Sequence, residues 1–202
     1  MKNEESKKIL VTGFGPFGKH TVNASWEAVK ELEKMSDDLN IKYGIQLITE
    51  NVPVAYDHVS KRIPELWEQH KPIMVLHLGV SHLAKCLTIE CRACNKGYNR
   101  PDVNNKLLNN SDNVEKLLKT TIDVDTLCSY VNNNSSKTGC FACISEDAGR
   151  YLCEFIFYNS LNINPERALF IHVPELHIYN SNQTAKGIYD IICHLIECKQ
   201  NE

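Results

Sequence analysis

Three side chains in this 202-residue chain offer the chemistry of a nucleophile, a base and an orienting acid. Cys153 closes the stretch SEDAGRYLC (145–153), in which a strand ends, a glycine-containing turn follows and a helix begins near Tyr151. The first turn of a helix favours a thiolate, because its backbone N–H groups and the helix dipole stabilise negative charge. His172 closes an apolar strand just before a proline, and Glu90 closes another strand. A thiolate, an imidazole and a carboxylate that orients the imidazole form a set for nucleophilic catalysis.

Each of these residues also has an ordinary structural interpretation. Most of the nine cysteines are expected to be small buried apolar side chains, and periodicity alone does not set Cys153 apart from them. A single histidine at a strand end is usually structural, and a single glutamate there is usually solvated. The joint placement of Glu90, Cys153 and His172 at the carboxyl ends of predicted strands favours a shared site, because open α/β sheets bind ligands there.

A second candidate site is the glycine-rich segment VTGFGPFG (11–18), which follows an apolar run and spells G-x-G-x-x-G. In a dinucleotide-binding loop of this pattern, the third glycine already belongs to the helix that holds the pyrophosphate. Here the next helix signal comes only near Ser25, and the acidic pair at 37–38 precedes the second strand instead of ending it. A nucleotide site is therefore the least favoured interpretation. The loop presents two aromatic side chains, Phe14 and Phe17, which are suited to wall a small apolar slot.

Strands and helices alternate along the chain. Short apolar runs predict six strands, and apolar residues at helical spacing predict five helices. This alternation is typical of an α/β protein with a mostly parallel sheet and helices on both faces. Ser25 is the expected N-cap of the first helix, and Pro64 is expected to kink or break the second. The predicted strands are Lys8–Thr12, Gly44–Val52, Ile73–Gly79, Cys86–Glu90, Thr138–Ser145 and Ala168–Val173, and the predicted helices are Ser25–Met35, Ala55–His70, Asp123–Asn132, Arg150–Leu161 and Gln183–Lys199.

Composition indicates one compact domain over residues 1–202, with a polar tail at 1–7 and a long surface loop at 91–112. The formal net charge of −3 gives no electrostatic basis for binding nucleic acid or an anionic membrane. No apolar run approaches the roughly 18 residues of a membrane span. The polar start lacks the apolar core of a signal peptide, and the nine cysteines are best explained as reduced thiols. We therefore expect a cytoplasmic protein.

Three motifs resemble those of the pyroglutamyl-peptidase I family of cysteine peptidases, also called the pyrrolidone-carboxylate peptidase family. They are GFGPFG (13–18) followed by VNASW (22–26), the cysteine stretch at 145–153, and FIHVP (170–174). The likeness extends from about Ile9 to the last helix and is closest to animal members. The resemblance implies a three-layer α/β/α sandwich with a twisted, mostly parallel sheet. It also implies an enzyme that needs no cofactor or metal and removes an N-terminal pyroglutamyl residue from small peptides.

The resemblance further assigns roles to single residues. Glu90, Cys153 and His172 match the catalytic triad of the family. Two phenylalanines sandwich the flat pyrrolidone ring, and backbone groups after the third strand lie near it. The remaining matches line the pocket or assist at the site. The substrate-binding residues implied in this way are Phe14, Phe17, Asn23, Gly79, Val80, Arg100, Tyr151 and Leu152.

The segment after Glu90 departs from the microbial pattern of the family. Asn95 and Arg100 keep matching offsets, but CRAC (91–94) and the asparagine-rich residues that follow do not. Animal members resemble monomers, so a monomer is expected in preference to an oligomer.

Two alternatives remain open from the sequence. One is a relative that binds pyroglutamyl peptides without turnover, although the presence of all three triad residues argues against it. The other is a zinc site of four cysteines, since Cys91 and Cys94 form one C-x-x-C pair and Cys140 and Cys143 form a second. The second pair falls within a predicted strand, where residues three apart point to opposite faces, and this disfavours tetrahedral ligation.

Overall fold

The six predicted strands and five predicted helices are present in the predicted order, and two further strands and two further helices accompany them. The structure is a computed structural model that describes residues 7–18, 21–108 and 114–200. Residues 1–6 of the expected tail and 109–112 of the expected surface loop lie outside these ranges. The strands are β1 Lys7–Phe14, β2 Ile45–Val52, β3 Met74–Val80, β4 Leu87–Glu90, β5 Arg92–Cys94, β6 Leu117–Lys119, β7 Ala142–Ser145 and β8 Ala168–Val173. The helices are α1 Ala24–Glu33, α2 Ser36–Tyr43, α3 Tyr56–His70, α4 Val124–Asn133, α5 Ser135–Thr138, α6 Leu152–Ile163 and α7 Ser181–Gln200.

Six strands form one sheet in the order β2-β1-β3-β8-β4-β7. Four of the strand pairs are parallel, and only β4 runs antiparallel to its neighbour β8. Strand β8 is buried at all six positions, as expected for a strand covered on both faces. One apolar cluster packs α1, α4 and α7 on one face of the sheet, and a second packs α3 and α6 on the other. The predicted α/β/α sandwich with a mostly parallel sheet is confirmed.

The first glycine of the glycine-rich loop allows close packing of a helix against the sheet. A Cβ atom on Gly13 would lie 2.9 Å from the backbone of Ser25 and Trp26, so glycine lets α1 approach β1. Gly18 has a φ of +56° and precedes α1, which begins only at Ala24. The prediction that the third glycine lies outside the helix is therefore confirmed.

The N-cap of α1 differs from the prediction. Asn23 is the N-cap, and its Oδ1 accepts hydrogen bonds from the backbone N–H of Ser25 at 3.1 Å and from the Ser25 hydroxyl at 2.8 Å. The predicted cap, Ser25, lies inside the first turn, and its Oγ instead accepts from the N–H of Phe14 at 3.0 Å. Both residue types cap helices well, so only the fold decides between two candidates that lie two positions apart.

Several local predictions are corrected by packing. Pro64 does not break its helix: α3 is continuous, and the proline lies on its exposed face, where only one backbone hydrogen bond is lost. The stretch 91–112 is not wholly a surface loop, because β5 pairs with β6 and Ala93 and Cys94 are fully buried. The helices at 36–43 and 135–138 were not predicted; both end at a glycine with positive φ. Among the described residues, no helix has the length and apolar content needed to cross a bilayer.

A buried polar network joins β1 and β3 to α3 and α6 on one face of the sheet. His77 of β3 is fully buried, with Nδ1 2.7 Å from the Thr12 hydroxyl and Nε2 2.7 Å from the Ser160 hydroxyl. The indole N–H of Trp67 also donates to Ser160 Oγ at 2.9 Å. A neutral imidazole has one donor and one acceptor, and both are used here. Burial lowers the pKa of His77 to about 3.

This network predicts acid sensitivity of the fold. The unfolded chain binds a proton at His77 below its ordinary pKa of 6.5, whereas the folded chain does so only near 3, so stability falls as the pH drops through that window. We expect His77 to lower the free energy of unfolding by about 2 kcal/mol between pH 7 and pH 5. Urea denaturation of wild type and His77→Gln checks this, because the variant loses that part of the pH dependence. The half-exposed His70→Gln is the control, and an unchanged pH dependence in His77→Gln would refute the assignment.

Candidate active site

A cavity of about 610 Å³ opens at the end of the sheet where β1, β3 and β8 finish. It is lined by seven separate parts of the chain, and this explains why no single motif reveals it. Every residue predicted for the site lines the cavity except Gly79, which lies beneath it. The predicted residues in the lining are Phe14, Phe17, Asn23, Val80, Glu90, Arg100, Tyr151, Leu152, Cys153 and His172.

The antiparallel β4–β8 pair brings the predicted acid and base together. Glu90 Oε1 lies 2.7 Å from Nδ1 of His172, although the two residues are 82 positions apart. Glu90 is 1% exposed and His172 is 8% exposed, so solvent competes little for this hydrogen bond. A carboxylate only accepts, and Nδ1–H is therefore the donor. This fixes the ring orientation and leaves Nε2 for a second partner.

The second partner of His172 is Cys153. Burial disfavours the charged imidazolium, but the Cys153 thiolate and the Glu90 carboxylate outweigh it and raise the pKa of His172 to about 10. Cys153 and Glu90 therefore flank His172 and both favour its protonated form. Cys153 lies in the first turn of α6 and is half-buried, as the sequence predicted for a nucleophile.

A sharp turn before α6 places the cysteine. Gly149 and Arg150 both have positive φ, at +92° and +48°, and Tyr151 is the N-cap. The buried carboxylate of Glu154 holds this turn, because it accepts from the N–H of Arg150 at 2.7 Å and from the Arg150 guanidinium. It also accepts from the N–H of Cys94 at 2.8 Å and so ties the turn to β5.

The sequence analysis did not identify Glu154. An available signal was its position as the third residue of a helix, where glutamate commonly bonds backbone N–H groups just before the helix. Its contacts make it a positioning residue for the turn that carries Cys153.

The aromatic loop is held in place by internal hydrogen bonds. Asn23 Nδ2 donates to the carbonyl of Gly15 at 2.9 Å, while its Oδ1 caps α1. Phe14 is 3% exposed and Phe17 is partly buried, and both reach the cavity wall. Asn23 therefore holds the loop that carries the Phe14 and Phe17 rings.

A second loop borders the cavity on the α3 side. Arg100 stacks over the ring of Tyr151 at 4.3 Å, and the Tyr151 hydroxyl donates to the carbonyl of Pro101 at 3.1 Å. Asp102 anchors this loop by accepting from the N–H of Tyr56 at the start of α3, at 3.0 Å. Burial opposes the charge of Asp102, but three backbone N–H donors hold its pKa below the usual value. Asp102 was also missed, because its anchoring role depends on a helix 46 positions away.

Gly79 has a steric role. A Cβ atom there would lie 2.7 Å from Cys153 Sγ and 2.7 Å from the ring of Phe170. A carbon atom does not approach non-bonded atoms that closely, so a side chain at this position displaces the sulfur or the ring.

We expect Gly79→Ala to lower kcat/KM by about 100-fold, since a displacement near 1 Å at the reacting atom has an effect of that order. Kinetics with purified, folded protein measures the change. Gly187→Ala is the matched control, because its Cβ would meet Cys140 and Leu87 at 2.9 Å in the core on the other face of the sheet. We expect Gly187→Ala to lower the stability of the fold but to leave kcat of the folded protein unchanged. An equal loss of kcat in Gly79→Ala and Gly187→Ala would contradict a local effect at Cys153 Sγ.

The zinc alternative is not favoured. Cys140 precedes β7, so the argument that placed it within a strand was wrong, but its thiol donates to the carbonyl of Gln183 at 3.3 Å. The thiol of Cys94 donates to Glu115 at 3.2 Å. Within the described ranges, no group of three or more His, Cys, Asp or Glu side chains has an arrangement that could hold a metal ion.

Comparison with known proteins agrees with the geometry. The family described as pyroglutamyl peptidase matches residues 7–194. Over 196 residues the chain is 40% identical to pyroglutamyl-peptidase 1 of Homo sapiens, covering 95% of this chain and 90% of that protein. It is 41% identical over 191 residues to pyroglutamyl-peptidase 1 of Mus musculus, covering 92% and 88%. The crystal structure of Bacillus amyloliquefaciens pyroglutamyl peptidase I shares the fold, with a TM-score of 0.77, 23% identity and coverage of 92% and 94%. The chain belongs to the pyroglutamyl peptidase family.

Proposed function

We propose that this protein is a cysteine peptidase that hydrolyses the bond after an N-terminal pyroglutamyl residue and releases 5-oxoproline. The observation that carries the proposal is the 2.7 Å hydrogen bond between buried Glu90 and His172, with the charge of His172 stabilised by Cys153 at the start of α6. Family membership supports the same activity, since its animal relatives are named pyroglutamyl-peptidase 1.

The triad geometry supports a two-step acyl transfer. The Cys153 thiolate attacks the carbonyl that joins pyroglutamate to the next residue, and a tetrahedral intermediate forms. The imidazolium of His172 then protonates the leaving amine, and the C–N bond breaks to leave a thioester. His172 next takes a proton from water, which attacks the thioester and releases 5-oxoproline. Glu90 keeps the ring oriented and stabilises its charge throughout.

The start of α6 supplies donors for the developing oxyanion. Tyr151 is its N-cap but makes no side-chain capping hydrogen bond. The first N–H groups of a helix lack partners within the helix, and they are therefore available to a negatively charged oxygen beside Cys153. These donors are fixed before the reaction begins, so they need little reorganisation in the transition state.

The cavity wall suits a neutral, flat ring. Phe14 and Phe17 provide two aromatic faces, and Val80, Tyr151 and Leu152 add apolar surface. A closed lactam carries no charge, whereas the ammonium group of an ordinary peptide N-terminus would be costly to bury there. Asn23 contributes by holding the aromatic loop, and Arg100 closes the wall from its stack on Tyr151. No step in this scheme calls for a metal or cofactor.

The experiment that tests the proposal is release of a fluorophore from a pyroglutamyl amide in the presence of a reducing agent. We expect turnover of this substrate and none of the matching prolyl or alanyl amides, because both carry a charged ammonium group that is costly to bury at the apolar wall. Hydrolysis of all three amides would refute the assigned specificity. If folded, reduced protein turned over none of them but bound a pyroglutamyl peptide in calorimetry, the protein would be a silent binding relative.

We also propose that residues 1–202 act as one peptidase domain, as a monomer in the cytoplasm. All nine cysteines are free thiols, which suits a reducing compartment and keeps a catalytic thiol active. Glu90, Cys153 and His172 all come from one copy of the chain, which is compatible with a monomer.

A further inference from the structure

The order of the strands locates the two halves of the substrate, given the function proposed above. Cys153 Sγ lies over Gly79 of β3, and His172 belongs to the next strand, β8. Phe14 and Phe17 come from the β1 side of β3. The pyroglutamyl ring therefore lies on the β1 side of the sulfur. His172 must protonate the leaving amine, so the peptide that leaves lies on the side of β8 and β4.

Three side chains line the cavity on that side. Thr88 of β4 pairs with His172 across the β4–β8 ladder. Leu83 belongs to the segment after β3, which is fixed to β8 by a hydrogen bond from the Ser81 N–H to the Val173 carbonyl at 3.0 Å. Glu175 follows His172 by three positions and also lines the cavity.

These side chains combine apolar surface with one carboxylate. Leu83 is 75% exposed, which is unusual for a leucine at a cavity wall and leaves its side chain available to a ligand. The Glu175 side chain is 32% exposed, and the exposed ring of His177 lies 3.5 Å from it. The acid of the triad, Glu90, is instead buried against His172.

The guanidinium in the cavity wall, that of Arg100, lies toward the other half. Arg100 stacks on Tyr151, and Tyr151 immediately precedes the helix that carries Cys153. Asp147 is 3.6 Å from Arg150, which partly offsets its charge. The His172 imidazolium beside Thr88 is offset by the Glu90 carboxylate and the Cys153 thiolate, so the carboxylate of Glu175 is the further charge that a side chain beside Leu83 and Thr88 meets.

We propose that Leu83, Thr88 and Glu175 form the subsite for the residue that follows pyroglutamate. The subsite selects a side chain with an apolar stem and a neutral or positive end, and it disfavours an acidic one. Leu83 packs against the stem, and Glu175 attracts or repels the end of the side chain.

The first test compares wild-type kcat/KM for pyroglutamyl-lysine amide and pyroglutamyl-glutamate amide by chromatography of the released amino-acid amide. We expect a ratio of about 10 in favour of lysine at low salt, from one charge contact near the surface. The ratio should fall as salt is added, because exposed charges are screened. Equal rates, or faster cleavage of the glutamate substrate, would overturn the proposal.

Variants assign the effect to residues. Glu175→Gln should reduce the lysine-to-glutamate ratio to about 2, and Glu175→Lys should reverse it. Leu83→Ser should lower kcat/KM for pyroglutamyl-leucine amide about 5-fold relative to pyroglutamyl-glycine amide, because only the former has a stem to pack. Glu166→Gln is the matched control, since this exposed acid lies at the opposite end of β8. A ratio that is unaltered in Glu175→Gln, or altered equally in Glu166→Gln, would exclude Glu175 as the selecting charge.

Failure of the subsite and failure of the proposed function give different results. If no pyroglutamyl substrate is cleaved, the proposed function itself is wrong. If all are cleaved without regard to charge or stem, the function stands and the subsite is wrong. The wild-type ratio and its salt dependence are measured without any variant, so they test the proposal even if Glu175→Gln folds poorly.

Discussion

Replacement of Cys153 by alanine abolishes hydrolysis of a pyroglutamyl amide, with kcat lowered by at least about 10⁴-fold, as expected when a nucleophile that acts as part of a triad is removed. The physical reason is that His172 and Glu90 prepare a thiolate and cannot replace it. The measurement is initial-rate kinetics under reducing conditions, with active-site alkylation as a second readout. Cys198→Ala is the control, because this thiol is exposed in the last turns of α7 and far along the chain from the cavity.

Cys153→Ala is also expected to change the pKa of the neighbouring His172 imidazole. The Cys153 thiolate is the largest of the causes that raise the pKa of His172 to about 10, so we expect that pKa to fall in Cys153→Ala. Titration of the ring by NMR checks this. Full activity in Cys153→Ala would remove the proposed mechanism, whereas lost activity with an unchanged His172 pKa would show that the thiol and the imidazole do not form a pair.

Substitution of Glu90 by glutamine lowers kcat by about 10⁴-fold without removing the nucleophile, as loss of the orienting carboxylate does in other triads. Glutamine keeps the size of the side chain but not its charge, and its amide can present a donor to Nδ1 in place of an acceptor. The imidazolium then loses one of its two stabilising charges while burial continues to oppose it, so the pKa of His172 falls. The pH profile of kcat/KM and the NMR titration of His172 measure both effects.

The pH dependence of the free energy of unfolding gives an independent measurement for Glu90→Gln. Because the folded-state pKa of His172 is raised, its contribution to stability is fully present below pH 6.5 and is lost as the pH rises through about 10. In urea denaturation, we expect the free energy of unfolding of Glu90→Gln to fall less at alkaline pH than that of wild type. Glu33→Gln, at an exposed position at the end of α1, should leave both kcat and the alkaline stability profile unchanged. A Glu90→Gln enzyme with wild-type kcat would show that the buried hydrogen bond does not orient the base.

Much of the site was predictable because its signals are local. The turn and helix start at 145–153 place Cys153 in a first helical turn, and this follows from glycine, apolar spacing and helix geometry within a dozen residues. His172 and Glu90 were predicted at strand ends in the same way, and both strands are present. The family resemblance assigned their catalytic roles, which stay a prediction, and the structure places Glu90 Oε1 2.7 Å from His172 Nδ1.

Other features depended on contacts between distant segments. The two helices at 36–43 and 135–138 are short and weakly patterned, and Pro64 is tolerated only because its ring faces solvent. Burial of the segment at 92–94 depends on β6 and on the carboxylate of Glu154. Propensity and periodicity describe a short window of residues, so they do not predict a contact with a segment that is distant in the sequence.

The sequence by itself determined which functional groups the site contains, the order of the predicted strands and helices, and the α/β class. Each of these follows from residue type or from periodicity, which act over a few residues. Only the tertiary structure decided that β4 runs antiparallel to β8, which brings Glu90 to His172 across 82 positions. It also decided that Asn23 caps α1, that Gly79 gives space to the sulfur, and that Leu83 and Glu175 face the same side of the cavity. These are outcomes of long-range packing, in which the partner of a side chain is set by the sheet that the whole chain forms.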